Sequence, residues 1–121
     1  MPSRSLNWFD QLATAGVPKR LVERRIAQTG LGVVRALRGS TMSIDDAEAD
    51  LFNLDTYRAM RRRRLSPQLI EFMQWGMELA DVAEVAPAGL EKSYRRMEAL
   101  VLGVISATLA SRRPTRRRKR A

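Results

Sequence analysis

The sequence predicts an all-α fold: a compact bundle of about five helices with a short N-terminal helix or arm and a disordered basic C-terminal tail. Apolar residues recur at a spacing near 3.6 in the longer segments, and residues that start or end helices separate those segments. Strand patterns are absent, since no sustained alternation and no Asn-Gly or Asp-Gly hairpin occurs. The length of 121 residues and the 45% apolar composition indicate one globular domain.

The first long helix is predicted over residues 18–38. It begins at Pro18, whose fixed φ suits a first helical turn, and ends before Gly39, which offers the left-handed conformation common after a helix. Gly30 and Gly32 lie inside it and predict a bend or a close helix crossing, because glycine otherwise costs roughly 1 kcal/mol relative to alanine there; close packing is the commoner reason. The apolar positions with helical spacing are Leu21, Val22, Ile26, Val33, Val34 and Leu37.

Two short helices are predicted next, each marked by a capping residue. Ser43 is expected to be the N-cap of the second helix, with Asp46 at the third helical position of a capping box. The apolar residues of this helix face inward and are Ile44, Ala47, Leu51 and Phe52. Its outer face is acidic and consists of Asp45, Asp46, Glu48 and Asp50. Asp55 or Thr56 is expected to cap the third helix, which runs through Arg64.

The fourth helix is predicted from residue 66 to about residue 84, and the fifth over residues 90–109. Ser66 and Pro67 mark the start of the fourth helix, because serine caps helices and proline suits the first turn. Both helices have a wide apolar stripe, so we expect them to form the core together with the first helix. The residues expected to be buried are Val34, Leu37, Phe72, Met73, Leu100, Val101 and Val104.

The residue types that the chain lacks exclude several chemistries. Without cysteine or histidine, it has no disulfide, no Ser-His-Asp or Cys-His triad and no zinc site that needs imidazole or thiolate ligands. No glycine-rich loop with a Walker lysine is present. No apolar run of about 18 residues and no signal segment occurs, which predicts a cytoplasmic protein without a membrane span. We expect no cofactor and no bound metal.

The positive charge of the chain is concentrated at its C-terminus. The formal net charge is +9, yet seven of the 22 Lys and Arg residues lie in 112–120, together with none of the 13 acids. Residues 1–111 therefore hold 15 bases against 13 acids, a net charge of +2. We expect residues 1–17 to be the arm or short helix, 18–111 the helical domain and 112–121 the disordered tail.

Glu78 and Asp81 are the candidates for carboxylate chemistry, because they lie three residues apart on one face of the predicted fourth helix. Glu71 extends the same polar ridge. Two neighbouring carboxylates can share a proton or hold a hard cation. We favour a structural role, in which both carboxylates pair with arginines and fix the helix packing. The first candidate partners are Arg35 and Arg38, and the second are Arg95 or Arg96.

Two groups of basic residues are candidates for binding a polyanion. Arg61, Arg62, Arg63 and Arg64 spread over more than one helical turn, so they cannot all face one ligand. A solvated helix end is the alternative interpretation of this group. The tail residues can engage phosphates with an affinity that falls in salt, or form a passive appendage. These residues are Arg112, Arg113, Arg116, Arg117, Arg118, Lys119 and Arg120.

Two stretches carry a resemblance to a known family. The first is Ser43-Ile-Asp-Asp-Ala-Glu-Ala-Asp-Leu-Phe52, and the second is Gly76-Met-Glu-Leu-Ala-Asp-Val82 followed by Pro87. Together with Ala36-Leu-Arg-Gly-Ser40, whose glycine stands one place early, they resemble a small uncharacterised bacterial family of unknown function. The resemblance covers residues 18 to about 105 and leaves the basic tail outside. It implies no activity and no cofactor, and it lends no catalytic residue.

These observations favour a non-enzymatic cytoplasmic helical module that binds another protein. The binding residues would be the polar ridge at Glu71, Glu78 and Asp81 or the acidic face at 45–50. An immunity or antitoxin-like role fits by analogy of class. The alternative is a nucleic-acid-associated protein that uses the tail and Arg61–Arg64. An enzyme that uses Glu78 and Asp81 is the third hypothesis.

Overall fold

The computed structural model describes residues 9–10 and 16–110, and all regular elements within them are helical, as predicted. In chain order they are α1 (Lys19–Arg38), α2 (Ile44–Asp50), α3 (Leu54–Arg62), α4 (Pro67–Met77), α5 (Leu79–Val85), a 3₁₀ turn (Pro87–Gly89) and α6 (Leu90–Ala110). Among these helices, none combines the length and the apolar character that a membrane span requires. The tail predicted over 112–121 lies outside the described residues.

Helices α1, α4 and α6 form the core. α1 and α6 lie antiparallel, because Arg24 near the start of α1 hydrogen-bonds Thr108 near the end of α6, and Arg38 at the end of α1 pairs with Glu91. α4 also packs against α6. All seven residues predicted to be buried are buried, which confirms the prediction: Val34, Leu37, Phe72, Met73, Leu100, Val101 and Val104.

Two glycines allow the aromatic centre of this core to form. A Cβ on Gly30 would lie 2.7 Å from Cζ of Phe72, so the predicted close crossing occurs at Gly30. A Cβ on Gly76 would lie 2.2 Å from a ring carbon of Phe52. The rings of Phe52 and Phe72 meet edge to face, with centroids 5.4 Å apart. Gly32, by contrast, has open space around it, so the prediction of close packing there is wrong.

The short helices α2 and α3 each have a side-chain cap at the N-terminus, and the cap of α3 also bonds to α2. The Ser43 hydroxyl accepts a hydrogen bond from the Asp46 backbone N–H at 3.0 Å, which confirms the predicted cap of α2. α3 is capped by Asn53, whose side-chain oxygen Oδ1 accepts a hydrogen bond from the Thr56 backbone N–H at 3.0 Å, so the predicted cap at Asp55 or Thr56 is wrong. The Asn53 amide also donates to the Glu48 carbonyl oxygen at 2.9 Å, because Asn53 follows α2 directly.

Two further boundaries differ from the predictions. The predicted fourth helix is divided at Glu78, where the backbone N–H donates to the Trp75 carbonyl oxygen and tightens the last turn of α4. α5 follows as a separate helix and packs against α2. Gly39 has a φ of −85°, and the left-handed residue after α1 is Ser40, with a φ of 61°. The chain reverses one residue later than the sequence suggested.

Part of the N-terminal segment belongs to the core. Residues 9 and 10 are helical, and the Phe9 side chain is 1% exposed. The guanidinium group of Arg63 lies 5.6 Å from the centre of the Phe9 ring. Residues 1–8 and 11–15 of the predicted arm lie outside the described part of the chain. The apolar side chain of Phe9 therefore docks on the helical domain, as a short docked helix requires.

Candidate binding surfaces

The arginines predicted to neutralise Glu78 and Asp81 pair with other acids. Arg38 pairs with Glu91 and, at 2.6 Å, with Glu98, while Arg35 pairs with Glu98 at 3.2 Å. These pairs run along the outer edge of the α1–α6 contact. Arg38 is the main cause of a lowered pKa at Glu91, and Glu91 raises the pKa of Arg38 in return. The network links the two longest helices in their antiparallel register.

Glu71, predicted to belong to a polar ridge for a partner, has structural contacts instead. The Trp75 indole N–H donates to it at 3.0 Å, and Arg96 of α6 donates to both carboxylate oxygens at 2.9 and 3.1 Å. The Trp75 hydrogen bond, followed by that of Arg96, lowers the pKa of Glu71. Glu71 therefore links α4 to α6. Arg96, which was predicted as a partner of Glu78 and Asp81, pairs with Glu71 instead.

Glu78 and Asp81 have no salt bridge with another described residue, so their predicted pairing with arginine is wrong. The turn at Glu78 places them at the start of α5, and both residues are exposed. Arg35, Arg38 and Arg96 are held by the acids of α4 and α6. The predicted ridge therefore divides between Glu71, which is tied to α6, and two carboxylates that face water.

The fold places the two acidic helices α2 and α5 in contact with each other. We call this area the acidic surface. Two long segments of the chain, 39–57 and 65–91, contain no Lys or Arg, and the surface is built from both of them. Its residues are Asp45, Asp46, Glu48, Asp50, Glu78, Asp81 and Glu84. Neither Glu84 nor the contact of the two helices was predicted from the sequence, although the two base-free segments are evident in it.

The acidic surface differs from a metal centre. Within residues 9–10 and 16–110, no three acidic side chains come close enough to hold a metal ion. Asp45, Asp46, Glu78, Asp81 and Glu84 are exposed to water on the helix surfaces. A spread of separate carboxylates repels anions over a wide area and attracts a basic macromolecule.

A recess of about 520 Å³ opens at the edge of the acidic surface, between the α1–α2 connection and the start of α6. Leu37, Ile44 and Leu90 contribute apolar wall, and the Asp46 carboxylate lies at the same opening. Tyr94 also lines the recess and is 7% exposed, and its burial raises the pKa of its hydroxyl. The recess thus combines apolar walls with one carboxylate.

The arginines at 61–64 are exposed and diverge, as their spacing predicted. Arg61 donates a hydrogen bond of 3.2 Å to the Tyr57 hydroxyl, which is the main cause of a lowered pKa at Tyr57. Arg63 turns the other way and lies over Phe9. Arg64 has a φ of 56°, so the chain reverses there and leads into α4. The tail candidates, from Arg112 to Arg120, lie outside the described residues.

A second group of bases, which the sequence analysis did not single out, lies beside Arg63. Lys19 in the first turn of α1 and Arg63 line one recess of about 150 Å³. Arg20 follows Lys19, and α1 has no acid in its first turn. Bases at this position do not stabilise the helix, since the positive end of the helix dipole favours acids. Sequence spacing gave no indication of this group, because α1 and α3 contribute to it separately.

Comparison with known proteins gives a family but no activity. Neither the search of curated proteins nor the search of solved structures found a match. Residues 18–116 match the family described as protein of unknown function (DUF3969). The match begins at the predicted first helix and runs past residue 105 into the first part of the basic tail, further than the resemblance suggested. The chain therefore belongs to this family of unknown function, DUF3969.

Proposed function

We propose that the protein is a non-enzymatic helical module that binds a basic protein through the acidic surface. The observation that carries the proposal is the packing of α2 against α5, two acidic helices from segments without a single base. The carboxylates of Asp45, Asp46 and Asp81 are exposed and have no salt bridge with a described residue. A partner with lysines and arginines on its surface would supply the missing counter-charges.

The recess beside Asp46 supports an anchor residue from the partner. Its apolar walls suit the aliphatic stem of an arginine or lysine, and Asp46 suits the charged end. Interfaces concentrate their binding energy in a few anchors of this kind, surrounded by weaker polar contacts. Beside the surface, Val85 is 81% exposed and begins a run of four exposed apolar residues, 85–88. This run would cover an apolar area of the partner.

The carboxylates of Glu78 and Asp81 are assigned to binding in this proposal rather than to catalysis. Both residues are exposed at the start of α5, where water surrounds them. A general acid or base works best where water is excluded and a neighbouring group tunes its pKa. A water-exposed pair fits an electrostatic contact better than proton transfer.

The test is affinity capture from an extract treated with nuclease, with the full-length chain as bait. The binding variant is Asp45→Asn/Asp46→Asn/Asp81→Asn, which keeps the shape of the side chains and removes three charges. The matched control is Lys19→Gln/Arg20→Gln/Arg64→Gln, which removes three charges elsewhere. We expect one basic protein on the wild-type and control baits, with at least tenfold less on the binding variant. Equal capture by all three baits would contradict the proposal.

A further inference from the structure

Three arginines and a tyrosine share one face of α3. Tyr57, Arg58, Arg61 and Arg62 line a recess of about 380 Å³. They occupy positions i, i+1, i+4 and i+5, which span about 140° of the helix circumference at about 100° per residue. The fold therefore takes two arginines from the run at 61–64 and joins them to Arg58, which lies outside that run.

The arginines of this recess have no counter-charge from the fold. Arg58, Arg61 and Arg62 are exposed, and none forms a salt bridge with another described residue. Residues 56–70 contain no acid, and Asp55, one turn before Arg58, is exposed and unpaired with it. The helix dipole favours bases in the last turn, which contains Arg61 and Arg62, but it does not account for Arg58. Arg58 and Arg62 stand four residues apart, where like charges destabilise a helix.

The Tyr57 hydroxyl indicates what kind of group the recess accepts. It accepts one hydrogen bond from Arg61 at 3.2 Å and another from the side-chain amide of Gln74 in α4 at 3.3 Å. These two bonds occupy the acceptor positions of the phenol oxygen, so the hydroxyl hydrogen remains to be donated. No described residue accepts it. The Arg61 hydrogen bond, followed by that of Gln74, lowers the pKa of Tyr57, which makes the hydroxyl a stronger donor.

We propose that this recess binds a doubly charged phosphate group through Arg58, Arg61 and Arg62, with the Tyr57 hydroxyl as a further donor. A phosphate monoester carries a charge of about −1.5 to −2 at pH 7 and three oxygens that accept hydrogen bonds. Guanidinium groups bind phosphate through charge-assisted hydrogen bonds that are often paired. A single carboxylate or a phosphate diester carries only one negative charge and would leave two of the three arginines without a counter-charge.

Arg61 is already held at the recess before a ligand binds. Its guanidinium group lies 5.8 Å from the centre of the Tyr57 ring, and it donates to the hydroxyl of the same residue. Arg58 and Arg62 have no such contact, so their side chains can close on a bound phosphate. The recess lies on α3, whereas the acidic surface lies on α2 and α5. Phosphate binding at the recess therefore does not depend on the proposed binding of a basic protein.

The test titrates the full-length protein with phenyl phosphate at constant ionic strength, and NMR of the arginine Nε–H groups reports binding. The binding variant is Arg58→Gln/Arg62→Gln, which keeps the contact between Arg61 and Tyr57. We expect this variant to lose about tenfold or more in affinity, because two charge-assisted hydrogen-bonding groups are removed. Tyr57→Phe keeps the ring and removes the hydroxyl donor, so it should lose about threefold or more.

The matched control is Arg25→Gln/Lys92→Gln, which removes two exposed bases of α1 and α6 that form no salt bridge with another described residue. Its affinity should stay within about twofold of the wild-type value, since neither base lines the recess. Equal losses in the two double variants would overturn the proposal, because binding would then follow net charge.

Three further ligands complete the test of phosphate chemistry. Diphenyl phosphate, a diester, should bind more weakly than phenyl phosphate, and equal affinity would contradict the assignment of a doubly charged group. Absence of binding by both phenyl phosphate and inorganic phosphate would also overturn the proposal. Inorganic phosphate that binds as tightly as phenyl phosphate would identify free phosphate as the ligand. Tighter binding of phenyl phosphate would identify a phosphate carried on an organic group.

Discussion

Replacing Gly76 with alanine tests the packing of the aromatic core. The added Cβ would lie 2.2 to 2.5 Å from three ring carbons of Phe52, far inside van der Waals contact. Phe52 is 2% exposed and rests on Phe72, which is fully buried, so neither ring has free space to move into. Overpacking of this kind costs about 1–3 kcal/mol. The helix propensity of alanine offsets about 0.5–1 kcal/mol of that cost.

Gly32→Ala is the matched control, because Gly32 lies in the interior of α1 with nothing within 4 Å of the added Cβ. It should stabilise the protein by about 0.5–1 kcal/mol through propensity alone. The assay is urea unfolding followed by circular dichroism, with thermal melting as a check, where each kcal/mol corresponds to about 4–8 °C. The reasoning fails if Gly76→Ala is as stable as the wild type, or if Gly32→Ala is destabilised.

Three smaller changes test other contacts. Asn53→Ala should destabilise the protein by about 1 kcal/mol or more in urea unfolding, because it removes the cap of α3 and a hydrogen bond to the end of α2. Thr56→Val should keep or raise the stability, since the buried Thr56 hydroxyl has no hydrogen-bond partner among the described residues; a loss above 1 kcal/mol would contradict this. Folding lowers the pKa of Glu71 below its usual value of 4.5. Its contribution to the free energy of unfolding is therefore fully present above pH 4.5 and is lost as the pH falls through the lowered pKa of the folded state. In a Trp8→Phe background, Trp75 emission should change in that acid range, and Glu71→Gln should abolish the change.

Burial in this fold could largely be predicted from the sequence because helical periodicity identifies the most apolar face of each long helix. Val34, Phe72 and Val101 stand on the apolar stripes of three helices, and packing these stripes against one another removes them from water. The cap of α3 could not be predicted in the same way. Asn53 and Asp55 are both competent N-caps, and the sequence pattern does not distinguish between them; in the structure Asn53 is the cap.

The partners in the ion pairs could not be predicted from the sequence either. Arg35 and Arg38 are three residues apart on α1, and Glu91 and Glu98 are two turns apart on α6. Any of several acids can face those arginines until the antiparallel register of α1 and α6 is known. Sequence spacing gives the face of a helix but not its axial position against a neighbour. The same register pairs Arg35 and Arg38 with acids of α6. Glu78 and Asp81 are therefore left exposed in the acidic surface.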